Sequence, residues 1–436
     1  MATYLKKAIQ KTENDDFKIR QTVKEILDRI RRQGETAVVE LAEQFDGWTR
    51  DFIVTRDEIE KLVSQVPRRV KDDIQFVHDQ VHGFATRQRE SLTAFETELS
   101  PGVILGQRLV PCRCAGCYVP GGRFAHAASA IMSVTTAKAA GVPFIVACTP
   151  PRGESINPTV AYALSLSGAD VVMALGGVQA VASMAFGLFT DRAADIVVGP
   201  GNAYVAEAKR LLYGEVGIDV FAGPTESLVI ADHTADPMIV AVDLVSQCEH
   251  GYDSPVWLLT DSATLGRKVI EIMPKVIADL PEPAVARSSW QDYGEVVLCE
   301  NREELVRVND DYAAEHVQVI AEDLDWYLEN LNNYGSLFLG EECTVSHGDK
   351  TSGTNHILPT RKAARYSGGL NVGKFIKVLT YQKLSKEANR TIGAVASRIS
   401  RYEGMEGHAR AADIRLRKYF PGEAFDFEVY NQKFYL

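Results

Sequence analysis

Apolar positions recur every three to four residues across the first hundred positions, as in Val23-Lys24-Glu25-Ile26-Leu27 and Ile59-Glu60-Lys61-Leu62-Val63. That spacing predicts charge-rich amphipathic helices. From about Val103 to Ile230 the pattern changes. Short β-branched runs, Phe144-Ile145-Val146-Ala147, Asp170-Val171-Val172-Met173-Ala174 and Asp195-Ile196-Val197-Val198, alternate with Ala-rich stretches at Ala127 to Ala140, Pro158 to Ser167, Gln179 to Gly187 and Ala203 to Leu212. Strands that are apolar throughout, separated by helices, predict a parallel sheet covered on both faces. A second α/β stretch runs from Leu228 to about Leu337, with strands expected at Pro255 to Leu259, Glu295 to Leu298 and His316 to Ile320. A helical tail is expected from near Gln382, ending in an aromatic, polar extension from Phe425 to Leu436. The two α/β halves share a texture that suits structural duplication, although no sequence repeat links them.

The 436 residues, 46% of them hydrophobic, suffice for a large core and two domains. A formal net charge of −11 argues against a general affinity for nucleic acid or anionic membranes. No apolar run approaches the ~18 residues of a membrane span. Met1 to Phe17 is polar and charged, without a signal-peptide core, so a cytoplasmic protein is expected. Seven cysteines in a reducing compartment read mostly as buried thiols. Cys112, Cys114 and Cys117 lack the second distant pair of a structural zinc site, and they fall in Arg108 to Val119, which reads as strand.

Three turns follow apolar strands and precede helices: Tyr118-Val119-Pro120-Gly121-Gly122, Gly176-Gly177-Val178-Gln179 and Gly199-Pro200-Gly201-Asn202. Such turns let backbone approach a phosphate at a helix N-terminus. None is G-x-G-x-x-G, but three at successive strand ends predict a ligand at that edge of the sheet. Gln247 and His250, three apart on a helix that begins near Asp236-Pro237, reach one side together. Asp349 lies in a polar loop that runs through Ser352-Gly353-Thr354-Asn355-His356, and His408 follows Glu403. Gln247, His250, Asp349 and His408 make a candidate set for an open zinc site. Glu315-His316, at a strand start, suits a general acid/base pair.

These islands, in this order, resemble histidinol dehydrogenase from about Ile26 to Arg415. The most specific pieces are the Gly121 and Gly199 turns, Ala222-Gly223-Pro224-Thr225-Glu226, Ser246 to Gly251, Ala314-Glu315-His316, and Ser352 to Thr360. The resemblance implies a zinc-dependent, NAD-linked enzyme that oxidises a primary alcohol twice, through an aldehyde, to a carboxylate. It implies Gln247, His250, Asp349 and His408 as zinc ligands and Glu315 and His316 as the acid/base pair. It puts Tyr118, Gln179 and Asn202 on NAD, and Thr225, His356 and Glu403 on substrate. It also implies an intertwined homodimer of two Rossmann-like domains, with Glu403 and His408 acting on the partner's site. The expected domains are 1–117 plus 227–370, with the N-terminal helices, zinc and acid/base residues; 118–226, for NAD; and 371–436, a helical tail crossing to the partner.

The rim departs from the usual pattern of that family. Arg123 and His126 follow the Gly121-Gly122 turn, Lys350 follows Asp349, and Arg361, Lys362 and Arg365 follow the Asn355-His356 signature. Added cations would repel histidinol, a cationic amine, and favour an anion. The pattern resembles the family's sulfopropanediol 3-dehydrogenase branch, which oxidises 2,3-dihydroxypropane-1-sulfonate to sulfolactate with two NAD. On that reading His126, Asn355 and nearby cations hold the sulfonate. The rival readings are histidinol dehydrogenase itself, a zinc hydrolase using Glu315, and a non-catalytic metal- or nucleotide-binding protein.

Overall fold

The computed structural model describes residues 2–9, 16–121, 125–221 and 223–427. These form two compact units, Met1–Ser91 with Pro111–Phe375, and Leu92–Val110 with Ile376–Leu436. Arg123 lies outside the described residues.

In the first unit a short strand, β1 (Thr3–Lys6), precedes four helices: α1 (Asp16–Gln33), α2 (Glu35–Asp46), α3 (Arg56–Ser64) and α4 (Arg68–Ser91). Gly47, in the left-handed region, stops α2 directly after Phe45 and Asp46. The chain then enters the second unit with β2 (Phe95–Ser100) and β3 (Val103–Pro111). The first unit then resumes with β4 (Ala115–Tyr118), α5 (Ala127–Ala139), β5 (Ile145–Thr149), α6 (Pro158–Ser167), β6 (Val171–Ala174), α7 (Gly177–Phe186), β7 (Ile196–Val198), α8 (Ala203–Leu212) and β8 (Gly217–Ile218). Residues 52–54 lie along the outer side of β6, with Ile53 bridging Met173.

A second alternation follows: β9 (Ser227–Ala231), α9 (Pro237–Cys248), β10 (Val256–Thr260), α10 (Ala263–Ala278), α11 (Pro283–Tyr293), β11 (Glu295–Leu298), α12 (Arg302–Tyr312), β12 (His316–Ile320), α13 (Leu324–Asn330), β13 (Ser336–Leu339) and α14 (Val345–Lys350). The sheet orders are β6-β5-β4-β7-β8 and β1-β11-β10-β9-β12-β13. Apart from antiparallel β1, the two sheets share one strand order, in which the first strand is central and the chain doubles back beside it. The duplicated texture in the sequence is therefore a duplicated topology. β5 and β9 are buried at every position because helices cover both faces. Within β9, Val229 packs into one core and Leu228 and Ile230 into the other, as the two-residue period requires.

The second unit joins β2 and β3 to β14 (Ile376–Leu384), followed by α15 (Lys386–Tyr402) and α16 (Glu406–Tyr419). The tail expected to be helical thus opens with a strand. Residues 92–110, grouped in the sequence reading with the first α/β domain, fold with that tail. Tyr381 of β14 lies over Gly106 of β3, where any Cβ would meet its ring, and its hydroxyl donates to Glu96 Oε2 at 2.7 Å. Ser397 and Arg401 of α15 both donate to Asp413 of α16, tying the helix pair together.

Candidate active site

The C-terminal end of α9 presents Gln247, and His250 follows just beyond the helix. Asp236 caps the start of this helix by accepting from Met238 N–H, and Pro237 takes the first turn. Gln247 is buried, and among the described residues its Oε1 accepts no hydrogen bond. Asp349, on the six-residue helix α14, brings Oδ2 to 3.9 Å from His250 Nε2 and Oδ1 to 3.4 Å from His316 Nε2. Gln247, His250 and Asp349 line one cavity of about 530 Å3, together with His126 and Lys350.

Glu315 directly precedes β12 and His316 opens it, with Glu315 Oε2 3.6 Å from His316 Nδ1. Both are almost fully buried. Burial raises the Glu315 carboxyl to about 8, with His316 partly offsetting it. Burial disfavours the charged His316 ring, yet the Glu315 and Asp349 carboxylates outweigh that effect and raise its pKa. Burial also opposes ionisation of Asp349, but the surrounding His316, His356 and His250 hold it well below the usual carboxylate range. Glu226, just before β9, is a second buried carboxyl, raised to about 7 by burial. Its backbone N–H donates to Glu315 Oε2 at 3.1 Å, and its carbonyl accepts from His316 N–H at 3.1 Å.

Among the described residues no three His, Cys, Asp or Glu side chains converge as a metal cluster. The first unit instead supplies one imidazole, one carboxylate and the amide oxygen of Gln247. A buried acceptor with no donor is costly unless a cation or a donor meets it. That donor set fits zinc and leaves room for a fourth ligand. His408, in the first turn of α16, and Glu403, at the end of α15, are exposed on the second unit.

Tyr118, Gln179 and Asn202 line another cavity, of about 430 Å3, at the carboxyl ends of β4, β6 and β7. The Tyr118 hydroxyl accepts from Gly177 N–H at 3.2 Å. Asn202 Oδ1 caps α8 by accepting from Tyr204 and Val205 N–H, which leaves its amide N–H2 as a donor for a ligand. Gly199, at φ +121°, passes so close to Tyr118 that a Cβ would overlap its carbonyl oxygen. Asn202 also borders a 340 Å3 cavity that reaches His250 and Arg361. The N-termini of α7 and α8 border these cavities, an arrangement that can hold a phosphate group.

The remaining candidates are placed differently. His126 borders the 530 Å3 cavity. Its pKa is lowered by burial and by the Lys350 charge. Asn355 donates to Met132 O at 3.0 Å and Thr136 Oγ1 at 3.3 Å and accepts from Ile357 N–H, so its amide pins the loop to α5. His356 is held between Ser129 Oγ at 2.8 Å and Asp349 O at 3.0 Å, and burial lowers its pKa to about 4. Thr225 is half-buried in the loop before β9. The cysteines are free, and six of the seven are buried.

Residues 9–416 match the histidinol dehydrogenase family. The chain belongs to that family. Its relatives include the sulfopropanediol 3-dehydrogenase of Ruegeria pomeroyi, 55% identical over 97% of this chain and 98% of that one. The histidinol dehydrogenase of Methanothermobacter thermautotrophicus is 39% identical over 91% and 93%. The crystal structure of histidinol dehydrogenase from Elizabethkingia anophelis superposes with a TM-score of 0.88 at 32% identity, covering 95% and 94%.

Several supporting residues of this histidinol dehydrogenase family member carry no local signal in the sequence. Lys209 and Asp219 bracket the Gly199 turn from α8 and from the loop after β8. Asp243 links Gln318 to Thr344 beneath α14. Arg361, in the left-handed region at φ 54°, donates its backbone N–H to Glu226 Oε1, and its guanidinium lies over Phe221. Glu226 belongs to a recognised motif but had no role in the sequence reading.

Proposed function

We propose that this chain is a zinc-dependent, NAD-linked dehydrogenase that oxidises the primary alcohol of 2,3-dihydroxypropane-1-sulfonate, through the aldehyde, to 3-sulfolactate. The observation that carries the reading is one cavity lined by Gln247, His250, Asp349, His126 and Lys350, with Glu315–His316 against its Asp349 wall. The 55% identity to a sulfopropanediol 3-dehydrogenase supports the substrate.

Gln247, His250 and Asp349 hold the metal, and His408 of a second copy completes the set. When bound, zinc orients the substrate hydroxyl as a Lewis acid, and NAD accepts one hydride in each of two oxidations. His316 takes the hydroxyl proton as the alcohol becomes an aldehyde. Glu315, in its ionised form, takes a proton from the water that attacks the aldehyde carbon. The resulting hydrate loses a second hydride and leaves a carboxylate. The Asp349 and Glu315 carboxyl groups beside its ring nitrogens keep His316 receptive to a proton. His126 and Lys350 face the sulfonate, and Lys350 supplies a charge-assisted hydrogen bond. Asn355 and His356 act by fixing the loop that carries these groups, while Thr225 and the partner's Glu403 contact the substrate.

A panel measuring NADH formation tests this with histidinol, both dihydroxypropanesulfonate enantiomers and uncharged diols. One sulfonated enantiomer should be the best substrate. Turnover of histidinol but not of either sulfonate would return the chain to the histidinol reaction. His316→Ala should lower turnover by ~100- to 10,000-fold, the usual worth of general acid–base catalysis, with zinc retained. Unchanged turnover would remove His316 from the chemistry.

A further inference from the structure

Two consecutive non-glycine residues, Arg361 and Lys362, hold left-handed backbone, at φ 54° and 64°. Such a conformation is strained and persists only where its surroundings fix it. Here Glu226 is the fixing group. Its Oε1 accepts from Arg361 N–H at 2.9 Å. Among the described residues that is the one hydrogen bond its side chain makes, since Oε2 is buried without a donor. A parallel contact stands just upstream, where Thr360 Oγ1 accepts from Gly223 N–H at 2.5 Å. Residues 223–226 and 360–361 are thus laced together twice.

These laces lie against Glu315. Glu226 N–H donates to Glu315 Oε2 at 3.1 Å. His316 Nδ1 lies 3.6 Å from the same oxygen. Leu358 and Pro359 pack on Gly335 so closely that a Cβ there would meet them as well as Glu315 O. Among the described residues Glu315 Oε1 accepts no hydrogen bond, and it is not among the fully buried atoms that lack a partner. One carboxylate oxygen is held, and the other is left to meet water.

We propose that Glu226 is a positioning residue for the second oxidation: by latching the strained Arg361 turn, its side chain fixes the backbone N–H that aims the Glu315 carboxylate at water. This assignment rests on the role proposed for Glu315 above. In that step the water oxygen bonds to the aldehyde carbon, one water proton passes to Glu315 Oε1, and the carbonyl electron pair moves onto the carbonyl oxygen. The adduct then loses its hydride to NAD. The first oxidation uses His316 and no water, so it does not depend on where Oε1 points. Lost aim therefore slows the second oxidation further than the first.

Single-turnover NADH formation tests this, with zinc-loaded enzyme in excess over the preferred enantiomer of 2,3-dihydroxypropane-1-sulfonate and NAD saturating. Wild type should form two NADH per alcohol. In Glu226→Ala the rate of the second should fall about 10- to 100-fold further than the rate of the first, the cost of a misplaced reacting group. Glu226→Gln, whose amide oxygen takes the place of Oε1 toward Arg361 N–H, should restore the second rate to within about three-fold. Thr360→Val removes the Gly223 contact alone. It should also slow the second oxidation more than the first, and it carries the test if Glu226→Ala does not fold. Equal slowing of both oxidations in these variants is what a merely structural role would give, and it overturns the proposal, as does a Glu226→Gln protein that fails to rescue. A wild type that stops at one NADH, or makes none, overturns the Glu315 reading and this assignment together.

Discussion

Lys209 Nζ and Asp219 Oδ1 meet at 2.5 Å with both side chains fully buried, and together they grip both sides of the Gly199 peptide. Lys209 donates to Gly199 O at 2.8 Å, while Asp219 Oδ2 accepts from Gly199 N–H at 2.7 Å. The ion pair therefore fixes the turn that delivers Asn202 to the cavity. Lys209→Met leaves the Asp219 carboxylate buried without its cation, which should destabilise the fold by ~3–5 kcal/mol. Chemical denaturation measures that loss. Calorimetry below the lowered melting point should also show weaker NAD binding. Full affinity in a destabilised variant would mean that the turn holds its shape without the pair.

Glu226 links pH to stability. Its carboxyl is raised from the ordinary glutamate value to about 7 by burial, so the folded chain binds a proton that the unfolded chain has already released. Stability from this group is complete below the unfolded pKa and is lost as pH rises through about 7. Glu226→Gln keeps the shape and removes the titration. The melting temperature of the variant should gain on wild type between about pH 5 and pH 8. Parallel melting curves across that range would show that the carboxyl is not protonated in the fold.

Asp243 offers a test of support beneath the proposed metal ligands. Its carboxylate accepts from Gln318 Nε2 at 2.7 Å and from Thr344 Oγ1 at 2.9 Å, and Thr344 immediately precedes the helix that carries Asp349. Asp243→Ala frees that helix start. Zinc affinity should fall by roughly 10- to 100-fold, the usual effect of removing a partner behind a ligand. Competition with a chromogenic chelator measures it. Wild-type affinity would show that α14 is held elsewhere.

The α/β alternation was legible because its strands are largely apolar and several of its helices start at strong caps. Asn157 and Asp236, each followed by proline, mark helix starts that sequence and structure share. The tail strand was harder to see. Ile376 to Leu384 alternates weakly and is mostly exposed, and only pairing with β3 makes it a strand. Glu315, His316, Gln247, His250 and Asp349 were readable as a set because each stands in a dense polar island. Asp243 stands in an ordinary helix, and its meaning comes from what the fold brings opposite it. The sequence pattern also favoured ligands at the carboxyl edge of a sheet. The cavity at Tyr118, Gln179 and Asn202 follows that rule, yet Glu226, Glu315 and His316 stand at the amino ends of β9 and β12.

The segment at residues 52–54 has a consequence for solubility. Val54 N–H donates to Val172 O at 2.9 Å, and Ala174 N–H donates to Phe52 O at 2.8 Å, so the outermost strand of its sheet already has a neighbour. A bare outer strand is a template on which foreign strands stack into aggregates. Here three residues of an irregular connection occupy that template, much as a bead of sealant closes an open seam. At this edge a concentrated solution of the protein offers little backbone for cross-β growth.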